Sequence, residues 1–421
     1  PGGRLLVTER PGRLRLIEPG PDGQLRLRPE PVAGVPAVLA RGQAGLFDVV
    51  VDPAFATSGQ LLLSFAHGTP QANHLRVVRA RLDGAQLTDV QPVFTSMPAK
   101  ADTQHFGGRI AWLPDGSVLV GMGDGNLDRT DAQRLHTHLG KLLRVRPDGT
   151  VPPDNPFVSK PGALPEIFSV GHRNPQGLVV VGGVPYAHEH GARGGDELNR
   201  LLPGANYGWP VTTGGIDYTY ARITPYRRLP GIEPPLVEWT PSIAPAGLAW
   251  YDGALFPAWR GSLFVAALKE RSVRRVPLAG GVPGPQEVLF QELGERLRDV
   301  RAGPDGALYL LTDSPQGRVL RVDGLDRPGP SRRKEMDQMM HRLAEVVTES
   351  RSLEDLTRPL LELLEAATGF DSVYLTSIDA KDGMQYILFS RNANRMTGPS
   401  LPRLLKASPS GLPISTPAHR I

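Results

Sequence analysis

Cysteine is absent from all 421 residues. That excludes disulfides, thiolate metal sites and cysteine nucleophiles, and it leaves the compartment open. Long hydrophobic runs are missing too: no window approaches about 18 uninterrupted apolar residues, so no segment is expected to insert into a membrane. The chain carries no block of one charge. Its formal charge of +4 is spread over interspersed Arg, Lys, Asp and Glu, so despite a pI near 9.4 it has no basic arm or stripe and no nucleic-acid partner is implied. Helical periodicity is missing before about residue 330. The chain starts at Pro1, inside what reads as a strand, with neither an initiator Met nor a signal peptide, so its natural N-terminus is expected to lie upstream.

What is abundant is turn chemistry. Forty-eight Gly and 42 Pro, with no collagen-like period, indicate many turns between short elements and favour an all-β architecture. A short apolar strand bearing an Arg and running into a turn recurs as RLRLIEPGPDG, VVRARLDG, LLRVRPDG, VRRVPLAGG and VLRVDG. Its Arg falls at Arg15, Arg79, Arg144, Arg275 and Arg321, and a weaker copy at Arg200 fills the one double-length gap. Six units of roughly 45 to 75 residues, each long enough for four short strands, predict a six-bladed β-propeller. The PDG turns at Pro114, Pro147 and Pro304 are structural: Pro presets the first turn position, Asp bonds nearby backbone and Gly takes positive φ.

Composition shifts near residue 326. All five Trp lie before it and five of the seven Met after it. Met336, Met339, Met340, Leu343, Val346 and Val347 fall at helical spacing, and a second helix is expected from Ser352 to Gly369. DSVYLTSID and MQYILFS read as a hairpin around 380–383. The expected domains are a propeller over 1–326, a linker over 327–333, an α+β segment over 334–397 and an unstructured tail over 398–421.

Candidate chemistry concentrates in the middle of the propeller. HFGGR sets His105 before paired glycines, although a lone His is more often an ordinary surface or core residue. GHRNPQG puts Arg173 beside Asn174 between turn residues, more hydrogen-bonding capacity than a solvated turn needs. In HEHGARGGDELN, His188 and His190 alternate on a strand but lack a third nearby His; the glycine-rich loop can turn backbone carbonyls towards a hard cation such as Ca²⁺. Lys269, Arg296 and Arg298 lie near late-blade strands, as surface charge or as cations facing a multi-anionic ligand.

The order HFGGR, GMGDGN, HLGKLLRVRPDGTVPPDNPF, PEIFSVGHRNPQGL, HEHGARGGDELN, GANYGWP and WTPSIAP resembles the soluble quinoprotein glucose and aldose sugar dehydrogenases over about residues 1–325. The resemblance implies an enzyme that oxidises the anomeric carbon of aldoses to lactones by hydride transfer to pyrroloquinoline quinone, with Ca²⁺ as second cofactor. It implies His105 as general base, Asp124 as the group orienting its imidazole, and Arg173 and Asn174 as contacts to the quinone's reactive edge. The GARGG turn matches the calcium loop, implicating the carbonyls of Gly191 and Ala192; relatives commonly carry Pro where this chain has Ala192. Gln43 matches a substrate-side Gln, Trp239 a ring flanking cofactor or sugar, and Lys269, Arg296 and Arg298 the cations that meet the quinone carboxylates. The partners implied are an aldose and an electron acceptor of unknown identity. The location implied is periplasmic or secreted.

Residues 334–397 resemble the opening of a GAF domain, its first helices and strands without the later ones, and receive no function. A propeller lacking its first strand and a GAF-like tail on an exported enzyme together raise the prospect of an unclosed ring and a chimaeric chain. Two other readings remain open: a calcium-dependent sugar lactonase, which would need carboxylates around the metal, and a non-catalytic sugar-binding or sensory propeller.

Overall fold

The computed structural model describes residues 3–127 and 129–322, together with His341 and three strands near the C-terminus. The chain divides into two compact units, Pro1–Gly324 and Leu325–Ile421. The first is an all-β, six-bladed β-propeller. Blade 1 holds β1 (Leu5–Glu9), β2 (Arg13–Pro19) and β3 (Leu25–Leu27). Blade 2 holds β4 (Leu46–Val51), β5 (Gln60–Thr69), β6 (Ala72–Asp83) and β7 (Gln86–Thr95). Blade 3 holds β8 (Ile110–Trp112), β9 (Val118–Met122), β10 (Lys141–Val145) and β11 (Ile167–Val170). Blade 4 holds β12 (Pro175–Val181), β13 (Val184–Glu189), β14 (Asp196–Arg200) and β15 (Val237–Trp239). Blade 5 holds β16 (Pro245–Tyr251), β17 (Ser262–Ala267), β18 (Ser272–Ala279), β19 (Val282–Pro283) and β20 (Glu287–Leu289). Blade 6 holds β21 (Leu297–Ala302), β22 (Leu308–Thr312) and β23 (Val319–Val322). All pairings within these blades are antiparallel.

The recurring arginines mark equivalent strands. Arg79, Arg144, Arg200, Arg275 and Arg321 lie on the third strands β6, β10, β14, β18 and β23, while Arg15 lies on β2. The three strands of blade 1 therefore occupy the second to fourth positions of a blade. In blades 3 and 6 the repeated Arg bonds the Asp of the PDG turn, Arg144 to Asp115 at 2.6 Å and Arg321 to Asp305 at 2.9 Å. Those Asp side chains also cap the backbone N–H two residues on, at Ser117 and Ala307. In these two blades strand repeat and turn repeat are one device.

Strands inside the blades read as nearly continuous apolar runs because both faces are covered by neighbouring blades. VLVGM of β9 and SLFVAA of β17 are buried throughout. A side chain such as Phe264, with no exposed surface, contributes about 2–3 kcal/mol by leaving water. On the axis, ion pairs tie the inner strands together. Arg301 of β21 meets Asp48 of β4 at 2.9 Å and Asp299 at 3.1 Å; Arg109, entering β8, meets Asp299 at 2.9 Å and donates to the Gln176 carbonyl of β12 at 2.8 Å. Blade 6 therefore reaches blade 2 directly, across 253 residues of chain.

In the second unit, β24 (Ser372–Ile378) pairs antiparallel with β25 (Met384–Asn392), the expected hairpin. β26 (Leu405–Lys406) adds to β25 at Met384 and Gln385, inside the stretch expected to be unstructured. The linker over 327–333 and the body of both helices expected within 334–369 lie outside the described residues. Among the described residues no helix is long and apolar enough to cross a membrane.

Candidate active site

Three connecting segments build the site: 96–109 leading into β8, 123–126 after β9, and 171–174 between β11 and β12. The first carries His105 at φ +51°, a left-handed conformation unusual for a residue with a side chain. The glycines after it are obligatory. A Cβ at Gly107 would lie 2.6 Å from the Gly121 carbonyl oxygen, and one at Gly108 would lie 2.8 Å from the Phe47 ring. Across from them, a Cβ at Gly123 would lie 2.2 Å from the His105 carbonyl oxygen. Three glycines thus bring the His105 backbone against β9 and its following turn. The Gln43 side-chain oxygen accepts the His105 backbone N–H at 3.0 Å and so fixes the segment from blade 2.

His105 and Asp124 are both buried, with Nδ1 and Oδ1 2.6 Å apart. Asp124 Oδ1 also accepts the Asn126 backbone N–H at 2.9 Å, and Oδ2 accepts the Trp209 indole N–H at 2.8 Å. Burial alone would raise the Asp124 pKa; the His105 hydrogen bond and charge, the Asn126 N–H and the Arg173 charge together hold it below its usual value. An ionised Asp124 makes Nδ1 the protonated nitrogen and leaves Nε2 as a free acceptor.

Arg173 and Asn174 sit on the adjoining turn. The Asp124 backbone N–H donates to the Arg173 carbonyl at 2.8 Å. The Arg173 guanidinium donates to the carbonyls of Gly191 at 2.7 Å and His190 at 3.3 Å, and lies over the Trp209 ring at 5.3 Å. Asn174 Oδ1 accepts the Gly107 N–H at 3.2 Å, closing the turn onto the HFGG segment. Below it, the Glu189 carboxylate accepts the Arg173 backbone N–H and lies 3.0 Å from His172 Nδ1. His172 stacks on Tyr207 at 4.9 Å. Ser169, His172 and Glu189 line up as a hydrogen-bonded series, but all three are buried, and they hold the turn.

The GARGG loop is wound tightly: a Cβ at Gly191 would lie 2.1 Å from the Gly194 carbonyl oxygen. Asp196 anchors it, one oxygen accepting the Gly191 N–H and the other the Ser242 hydroxyl and the Ile243 and Ala244 N–H groups. Ala192 is buried beside Ala132 and Trp209. The loop therefore presents the Gly191 carbonyl to a cationic group, here the Arg173 guanidinium. His188 and His190 each face a backbone carbonyl, Gly247 at 3.1 Å and Pro245 at 2.6 Å. Burial pushes their pKa values down to about 3 and about 4. No cluster of three or more His, Cys, Asp or Glu that could hold a metal occurs among the described residues.

Gln43, His105, Asp124, Arg173, Asn174 and Gly191 thus form one connected group. Trp239 and Lys269 line a cavity of about 500 Å³; the Trp239 carbonyl accepts the Gly195 N–H of the GARGG loop at 3.1 Å, and its buried indole donates its N–H to Gln286 at 2.9 Å. Arg296 and Arg298 share Asp313, at 2.9 and 3.1 Å. The charges of Arg173 and Arg298 both help to lower the His190 pKa. Sequence reasoning gave no role to Trp209, although GANYGWP was among the motifs, nor to Lys100, an unremarkable Lys in MPAKADTQ.

The family described as Glucose / Sorbosone dehydrogenase matches residues 1–321. The chain belongs to the glucose/sorbosone dehydrogenase family. It is similar to an aldose sugar dehydrogenase of Escherichia coli, 39% identical over 325 residues that cover 76% of this chain and 86% of the relative. Among solved structures it is similar to a glucose dehydrogenase, with TM-score 0.72 and 45% identity over 75% of this chain and 92% of the other. A pyrroloquinoline-quinone-bound aldose sugar dehydrogenase from Streptomyces coelicolor gives TM-score 0.63 and 30% identity, covering 77% of this chain and 91% of the other. The chain is an enzyme of this family.

Proposed function

We propose that the chain oxidises the anomeric carbon of aldose sugars to the lactone, using pyrroloquinoline quinone and Ca²⁺. The observation that carries this reading is the His105–Asp124 pair at 2.6 Å, beside a turn that projects Arg173 and Asn174. His105 Nε2 takes the proton of the anomeric hydroxyl. Asp124 holds the imidazole in the tautomer that makes this possible and stabilises the imidazolium formed. Gln43, Trp209 and the glycines keep the pair in register with the turn. When bound, the quinone supplies the two-electron acceptor for the anomeric hydride.

The residues present fit both cofactors. Arg173 sets a positive charge where negative charge develops, and Asn174 lies beside it. Arg298, with Arg296, Lys269 and Trp239 further out, offers cations and an aromatic face to a planar tricarboxylate. The Gly191 carbonyl already faces a cation, as a calcium ligand would, and Ala192 serves through its backbone, so that Ala in place of Pro keeps the ligand atom. Export to the periplasm, implied by the resemblance, belongs to the proposal and is checked by cell fractionation of the native gene product. This reading assigns no role to the segment 334–397.

The test is titration of the protein with pyrroloquinoline quinone and Ca²⁺, followed by aldose-dependent dye reduction. Saturable cofactor binding with sugar turnover supports the reading. Folded protein that binds no quinone refutes it.

A further inference from the structure

Lys100 is the most unusual cation in the propeller. It is only 3% exposed, and its Nζ donates to the carbonyls of Asp102 and of Gln104, the latter at 2.9 Å. The same ammonium lies 3.5 Å from the centroid of the Phe106 ring. Its contacts therefore bracket His105, one on the residue before it and one on the residue after it. A Lys ammonium has three N–H groups, and two carbonyls and an aromatic face account for all three. The Lys100 backbone is fixed as well, exchanging N–H to O bonds of 2.9 Å with Asn73 in both directions. Its aliphatic stem passes Gly125, where a Cβ would lie 2.9 Å from Cδ. Around Nζ lies the 102–106 segment, while the Asn73 backbone of β6 fixes the Lys100 backbone and the turn bearing Asp124 packs against its stem.

A segment holding a non-glycine residue at positive φ needs external restraint. Two carbonyls pinned to one buried point charge supply it. We infer that Lys100 is a positioning residue that holds the Asp102–Phe106 segment so that the His105 imidazole stays directed at Asp124 on one side and at the substrate on the other. The charges that face it are those of Asp102 and Asp124. Burial pulls its pKa down to about 7 against the pull of these two carboxylates, so the restraint changes strength close to neutral pH. Perturbed lysines of this kind concentrate at functional sites.

The inference rests on the reading of His105 as base, so its test includes a measurement that needs no turnover. In Lys100→Met, which keeps the stem and removes the ammonium, kcat for aldose oxidation falls about tenfold, as expected for a loosened rather than a missing base. The sugar KM stays within about twofold, because no substrate contact is removed. In the protein without cofactors, the downfield proton resonance of His105 Nδ1–H broadens or is lost in Lys100→Met. Wild-type kcat and the wild-type resonance both unchanged in folded Lys100→Met overturn the inference. Should Lys100→Met fail to fold, the wild-type resonance is followed from pH 6 to 8: a shift on deprotonation of Lys100 supports the inference and a flat response refutes it. Wild-type protein that binds quinone but oxidises no sugar would sink the dehydrogenase reading, and the resonance would still judge Lys100.

Discussion

Replacing Asp124 by Asn separates the charge of this residue from its shape. The carboxylate accepts three N–H groups, from His105 and Asn126 on Oδ1 and from Trp209 on Oδ2. An Asn amide has one oxygen. Set at the Oδ1 position it retains His105 and Asn126 but turns its NH₂ on the Trp209 indole N–H, leaving a buried donor unpaired at about 1–3 kcal/mol. Set the other way, the NH₂ faces Nδ1 and forces the proton to Nε2, the wrong tautomer for a base. In the first arrangement the lost charge matters most. At about 4 Å and an effective dielectric near 20, a carboxylate favours an adjacent imidazolium by roughly 4 kcal/mol. Part survives through the retained hydrogen bond, so we expect kcat to fall about 10²- to 10³-fold, or roughly 3–4 kcal/mol. The assay is single-turnover reduction of bound quinone by saturating aldose, with thermal melting to confirm the fold. A kcat within threefold of wild type in folded Asp124→Asn would refute the assignment of Asp124.

Other consequences follow from the same contacts. Gly108→Ala places a Cβ 2.8 Å from the Phe47 ring at φ +93° and is expected to destabilise the propeller by about 1–3 kcal/mol, read as a lower urea midpoint with unchanged slope. His188 and His190 have folded-state pKa values of about 3 and about 4, depressed by burial. Between those values and about 6.5 the unfolded chain binds the extra protons, so stability falls as pH drops through that window, by up to about 1.4 kcal/mol per pH unit for each His. Denaturant titrations at pH 7, 6 and 5 measure the slope, and His188→Gln should flatten it.

Much of the fold was legible because its repeat has a local cause. In blades 3 and 6 the Arg144–Asp115 and Arg321–Asp305 pairs join the third strand to the PDG turn between the first two, so there Arg and PDG recur together. The spacing could not reveal the axis: Arg301 and Asp48 lie 253 residues apart, and no periodicity links them. The site divides the same way. HFGGR and GMGDGN declare themselves because glycines at positive φ or in close contact must be glycine. Trp209 acts through a side chain 85 residues away, on Asp124, and Lys100 through burial and the nearby Asp102 and Gln104 carbonyls, contacts that residue type alone does not announce. Trp239 carried a motif signal, WTPSIAP, yet its indole is turned to Gln286. Of the segment 334–397, read from helical periodicity and a hairpin, His341 and the hairpin strands lie among the described residues.

The central claim is that His105 takes the proton while the anomeric hydrogen leaves as hydride. The most direct measurement is rapid mixing of the protein, loaded with pyrroloquinoline quinone and Ca²⁺, with glucose and with glucose deuterated at C1, in wild type and in His105→Ala. The account predicts rapid quinone reduction in wild type, slowed severalfold by deuterium, and reduction at least about a thousandfold slower in His105→Ala. Equal rates in the two proteins, or bound quinone that glucose never reduces, would contradict it.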